Sequence, residues 1–286
     1  MDARPTAGPA PLAFRKAHGL GNDFVVIDAR SHDRRGGVDP MTPALARAIG
    51  DRRRGVGFDQ LVTIHADPEA DARLVFWNAD GSTAGACGNA TRCVADMLMT
   101  EAARDALTLR TARGLLRAER RGDRIAVDMG APDFDWRAIP LAGPADTLAL
   151  PIEGAPVAVS MGNPHCVFFV ADADAAPVTT LGPEIERHPL FPERANVGFA
   201  EIRDRETIRL RVWERGAGLT LACGSGACAA MAAAVRRGLA SPRARLILDG
   251  GDLEMAWDGT GGVEMTGPVA HVFEGALTPA FLAAVA

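Results

Sequence analysis

The chain has 286 residues, 48% of them apolar and 23% charged, a composition that fits one large soluble domain or two ordinary ones. A net charge of −5 supplies no field to recruit nucleic acid or an anionic membrane, and no apolar run nears the roughly 20 residues of a membrane-spanning helix. Five cysteines without an apolar leader point to a reducing compartment, the cytoplasm, and to thiols used for chemistry rather than cross-links.

In chain order, residues 1–11 are rich in Pro and Ala and are expected to form a disordered tail. Asp23–Ala29 (DFVVIDA), Gln60–Ala66 (QLVTIHA) and Ala72–Ala79 (ARLVFWNA) are β-branched and apolar, and read as strands. The "DRRRG" run from Asp51 reads as a solvated loop. A helix is predicted after Cys87, with Val94, Met97 and Leu98 on one face. Further strands are predicted in "IAVDMG", "APVAVSMGNPHCVFFV", "ETIRLRVWE", "ARLILD" and "GGVEMTGPV", with a domain boundary near residue 130. A second helix is predicted after Cys223. It is apolar all round from Ala227 to Val235, so it should be buried, and Gly238 should stop it.

Short matches recur at long range. "GND" at Gly21 returns as "GNP" at Gly162, 141 residues on, and Val56-Gly57-Phe58 returns as Val197-Gly198-Phe199 at the same offset. "ACGN" around Cys87 returns as "ACGS" around Cys223, 136 residues on. The shared order and near-constant spacing predict duplication. The expected fold class is α+β, with two pseudo-symmetric domains, each a strongly curved mixed sheet wrapped around a central helix. The expected limits are 12–130, rejoined by 271–286, and 131–270.

Each tetrad precedes a predicted helix. Gly88 and Gly224 let a ligand approach the backbone, and Asn89 and Ser225 read as N-cap residues. The first helix amides have no partner within the helix and carry partial positive charge, so a carboxylate can bind there and a thiol there should ionise more easily. Two such cysteines across one ligand could take a proton from one face of a carbon and deliver another to the opposite face. Pyridoxal phosphate, the usual electron sink for amino-acid α-carbons, needs a Schiff-base lysine, and Lys16 is the only lysine, so no cofactor is expected. Zinc is not expected either, because the cysteine spacings give no close ligand pair and the six histidines are scattered. Cys93, Cys166 and Cys228 read as small buried hydrophobes, and Trp77 and Trp213 as core.

At "GLGNDFVVID", "GVGFDQLV", "FWNADGSTAGACGNATRC", "MGNPHCV", "NVGF" and "ERGAGLTLACGSGACAA" the chain resembles the diaminopimelate epimerase family, whose relatives include proline racemases and phenazine-biosynthesis-type isomerases. The resemblance implies cofactor-independent epimerisation of LL- and meso-diaminopimelate, with Cys87 and Cys223 as the acid/base pair. It implies that Gly88, Asn89, Gly224 and Ser225 bind the reacting carboxylate. It implies that Asn22, Gln60, Asn78, Asn163, Asn196, Glu214 and Arg215 hold the rest of the substrate, with His165 behind them. It also implies a homodimer acting on a small-molecule amino acid. Ala86, Ala90 and Leu219 depart from residues frequent in the family and bear on fine specificity. A proline-racemase-like activity, or a thiol redox or zinc-binding role for the same cysteines, are the alternative readings.

Overall fold

The computed structural model describes residues 10–33 and 39–285, so all but the last two residues of the expected tail lie outside the described residues. The first series of elements is β1 (Leu12–Gly19), β2 (Asn22–Asp28), α1 (Arg30–Asp33), α2 (Pro43–Gly50), β3 (Gln60–His65), β4 (Ala72–Asn78), β5 (Thr83–Ala84), α3 (Gly88–Ala102), β6 (Ala106–Thr111), β7 (Gly114–Arg121) and β8 (Arg124–Asp128). The second is β9 (Val157–Ser160), β10 (Pro164–Val170), α4 (Val178–Glu186), β11 (Asn196–Asp204), β12 (Thr207–Glu214), β13 (Gly218–Thr220), α5 (Gly224–Arg236), β14 (Arg243–Leu248), β15 (Gly251–Ala256) and β16 (Glu264–Gly267). β17 (Ala270–Leu277) and α6 (Pro279–Ala283) follow.

The repeat is visible in the strand pairings. β1–β2 is antiparallel, β2–β3 parallel, β3–β4 and β4–β5 antiparallel, β4–β6 parallel, and β6–β7 and β7–β8 antiparallel. β9 to β16 repeat this pattern step for step. The two series join where β8 pairs with β16, and β17 returns alongside β1.

One echo in the sequence does not survive in three dimensions. Phe24 faces Gln60 where β2 meets β3, and His165 faces Asn196 where β10 meets β11, which makes Gln60 and Asn196 the equivalent positions. Val56–Phe58 lie in the loop before β3, whereas Val197–Phe199 lie inside β11. The "GN" echo does survive in the backbone. Gly21 has φ +80 in the two-residue turn between β1 and β2, and Gly162 has φ +82 in the link between β9 and β10. Glycine adopts this left-handed region without steric cost.

Each sheet region wraps one helix. α3 packs on β1, β2, β6, β7 and β8, α5 packs on strands from β9 to β16, and the two helices touch. Ala227 to Ala234 of α5 are all buried, and the small side chains of all but Met231 let the strands close in on every side. α3 is buried beyond the predicted stripe, with Thr91, Arg92 and Cys93 inaccessible as well. Cys93, Cys166 and Cys228 are fully buried, and Trp77 and Trp213 pack into core clusters.

Candidate active site

α3 starts at Gly88 and α5 at Gly224, and the N-cap of each is the cysteine before it, in extended conformation. Asn89 and Ser225 are therefore not N-caps, contrary to the sequence expectation; each sits inside the first turn. The Asn89 amide instead reaches out of its helix, donating to Asn22 Oδ1 at 3.1 Å and to the Ala222 carbonyl at 3.2 Å. Its own Oδ1 is buried without a partner among the described residues. Cys223 Sγ accepts the Gly226 amide at 3.3 Å and lies 3.7 Å from Ser225 Oγ. The glycines allow close approach. A Cβ on Gly88 would meet Met265 Cε at 2.6 Å, and one on Gly224 would meet the same methyl at 3.3 Å. Met265 thus lies against both helix starts.

A cavity of about 1020 Å³ opens at these two starts, and both Cys87 and Cys223 line it, with Gly88, Asn89, Gly224 and Ser225. Asn22, Gln60, Asn78, Asn163, Asn196, Glu214 and Arg215 line it too. His165 does not; it is buried behind Asn163, with Nε2 3.0 Å from Asn163 Oδ1. The amides order one another. Gln60 Nε2 donates to Asn78 Oδ1 at 2.9 Å, Asn163 Nδ2 to Ser225 Oγ at 3.3 Å, and the Arg215 N–H to Asn196 Oδ1 at 3.0 Å. Glu214 accepts from the Thr220 hydroxyl at 2.5 Å.

The thiols differ from expectation. Burial pushes Cys87 up to about 12 and raises Cys223 well above the ordinary thiol value. The Glu214 charge raises both further. The Ala90 amide and Arg92 pull Cys87 the other way, and the Gly226 amide and Ser225 do so for Cys223. The magnitudes explain the outcome. A helix N-terminus contributes up to about 2 kcal/mol, roughly 1.5 pKa units, whereas complete burial can move a group by about 3–5 units. Cys223 is buried, while Cys87 stays partly accessible from the cavity and feels less of this. Burial likewise raises Glu214. Burial, and then the charges of Arg113 and Arg215, push His165 down to about 3, so it is neutral.

Several cavity residues escaped the sequence reading. Asp59 accepts from Asn22 Nδ2 at 2.9 Å and pairs with Arg52 at 2.7 Å, and Arg52 also pairs with Asp23 at 2.8 Å. The "DRRRG" run is thus only partly a solvated loop, since Arg52 lines the cavity. Asp59 adjoins Gln60 inside a quoted motif, which is the signal that could have found it. Lys16 is bonded to Asp23 at 2.5 Å and to the Gly57 carbonyl. Arg113, in the β6–β7 turn, lines the cavity and packs on Gly162, and no local pattern marks it. Among the described residues no cluster of three His, Cys, Asp or Glu could hold a metal, and no helix is long and apolar enough to cross a membrane.

Comparison with known proteins adds to this geometry. The family model described as diaminopimelate epimerase matches residues 14–134 and 157–272. The chain is 56% identical to the diaminopimelate epimerase of Acidiphilium cryptum (strain JF-5), covering 96% of this chain and 99% of that one. It is 53% identical to that of Phenylobacterium zucineum (strain HLK1), covering 92% and 97%. Among solved structures, the Bacillus anthracis phenazine biosynthesis protein of the PhzF family superposes with a TM-score of 0.66 at 15% identity, covering 94% of this chain and all of that one. That similarity speaks to the fold.

Proposed function

The chain belongs to the diaminopimelate epimerase family, and from that premise we propose that it interconverts LL- and meso-diaminopimelate by proton transfer between Cys87, Cys223 and the substrate α-carbon, without pyridoxal phosphate. One observation carries the reading: two cysteines, each the N-cap of its own helix, line a single cavity.

The thiolate of one cysteine takes the α-hydrogen as a proton, forming an S–H bond. The C–H electron pair stays on the α-carbon and spreads into its carboxylate. The other thiol then gives its proton to the opposite face of the carbon and becomes the thiolate, so the configuration inverts. The reverse reaction swaps the roles. The amides at the two helix starts, with Asn89 and Ser225, hold the reacting carboxylate and stabilise the charge developing on it. The dry surroundings that raise the thiols have a use here. A thiolate with high proton affinity is a stronger base, which suits a weakly acidic α-carbon. Arg215 suits the distal carboxylate and Glu214 the distal ammonium, while Asn22, Gln60, Asn78, Asn163 and Asn196 read the remaining polar groups. His165, neutral, orients Asn163.

The proposed halves meet near residue 130, with 271–286 joining the first; the β1–β17 pairing supports this. We further propose a cytoplasmic homodimer. Five free thiols favour a reducing compartment, and the partly exposed Val272 and Phe273 on β17 supply apolar surface.

The test is incubation with LL-diaminopimelate in heavy water without added cofactor. Inversion with deuterium at the α-carbon is expected. Cys87→Ala and Cys223→Ala should each lower turnover at least about 10²–10⁴-fold in both directions. Full turnover by either variant, or exchange into proline alone, would overturn the reading.

A further inference from the structure

Arg92 lies in the second turn of α3, and long side chains at such positions run back toward the helix start. It is fully buried, and its Nη1 reaches the Met265 sulfur at 3.3 Å. Nε and Nη2 have no hydrogen-bond partner among the described residues. Two glycines make room for the guanidinium. A Cβ on Gly19 would come within 2.9 Å of Nη2, and one on Gly267 within 3.3 Å of Nε and Cζ. Among the described residues it forms no ion pair with a carboxylate, and the ionisable groups that act on it most are the Cys87, Cys93 and Cys228 thiols and Arg124. Burial holds Cys93 and Cys228 at about 12, so neither neutralises it.

A buried cation without a counter-charge is strongly unfavourable in a resting protein, and a hydrophobic side chain of similar size would serve packing better. Its position gives it a use. Cys87 is the N-cap of the same helix; the Glu214 charge opposes its ionisation, and Arg92 favours it. Met265, held by Arg92, fills the space in front of both Gly88 and Gly224.

We propose that Arg92 is a positioning residue for the proton transfer, a fixed positive charge beneath the start of α3 that stabilises the Cys87 thiolate as it forms and, through Met265, sets the two helix starts against each other. The inference rests on the reading of Cys87 as a proton-transferring group.

The test compares Arg92→Met, which removes the charge but keeps apolar bulk, with Arg92→Gln, which removes it but keeps polar contacts, and with Arg92→Lys. The probe is iodoacetamide, with the Cys87 adduct measured by mass spectrometry as a function of pH, alongside epimerase kinetics. In either uncharged variant alkylation of Cys87 at each fixed pH between about 7 and 9 should slow about tenfold, because only the thiolate reacts and losing the charge makes it about tenfold scarcer. The value of kcat should fall about tenfold with KM nearly unchanged. Arg92→Lys should recover much of both effects. An alkylation curve superimposable on that of the wild type in either uncharged variant overturns the proposal, whatever happens to stability. Wild-type protein that does not epimerise marks a failure of the functional reading instead, so the two failures are distinguishable.

Discussion

His165 is buried one residue from the cavity wall, and its ring meets Asn163. Burial holds it at about 3, against 6.5 for a free side chain. The sign of its effect on stability follows. Below pH 6.5 the unfolded chain binds a proton that the folded chain refuses, so its contribution is complete above 6.5 and is lost as pH falls toward 3. Between pH 7 and pH 5 the loss is about 2 kcal/mol. His165→Gln, whose amide can still donate to Asn163, should lose correspondingly less stability over that interval in urea unfolding. Equal losses in both proteins would show that His165 does not titrate in this way. The glycines and cysteines of the two tetrads were legible in the sequence because a close-packed helix start admits few residue types. The protonation of the thiols was not legible, because it depends on burial by residues far along the chain, such as Met265. Arg113 was invisible for a similar reason, since a turn residue enters a site only through the fold.

At the scale of elements, the sequence showed where β2 to β4, α3 and α5 fall, because β-branched runs and an all-apolar helix are local signals, but it marked neither α1, α2, α4 and α6 nor strands such as β1, β6, β7 and β17. β2, β3 and β4 each end within one residue of expectation. What it mistook was equivalence. "VGF" occurs twice, but strand register, which fixes which residues face each other, makes Gln60 the counterpart of Asn196. The turn at Gly162 carries a testable consequence. Its φ of +82 disfavours any side chain, and a Cβ there would lie 2.3 Å from Arg113 Nε. Gly162→Ala should therefore cost about 1–2 kcal/mol from backbone strain, and more from the clash. Adding Arg113→Ala should recover the clash but not the strain. A double-mutant cycle by chemical denaturation measures that recovery, and strict additivity would mean that the arginine does not press on the turn.

For the whole molecule, the β8–β16 and β1–β17 pairings tie the two series of elements together at both ends. The cavity lies where α3 and α5 meet, and both series of elements contribute to its lining. β17 is the outer partner of β1, and Val272 on it, a β-branched apolar side chain, is 56% exposed among the described residues. A single exposed valine is ordinary, but Phe273 beside it is also half exposed, and apolar exposure on a strand that closes a domain invites pairing between copies. If a second copy covers this strand, Val272→Glu buries an unpaired carboxylate in the interface, which is strongly unfavourable. Within one copy the same substitution should change stability by no more than about 0.5 kcal/mol, since the side chain is solvated. The expected result by light scattering is a particle of twice the 30.0 kDa chain mass for the wild type and of 30.0 kDa for the variant, with far-UV circular dichroism unchanged. A dimer that persists in the variant would move the interface away from β17, and a wild-type particle of one chain mass at all concentrations would remove it.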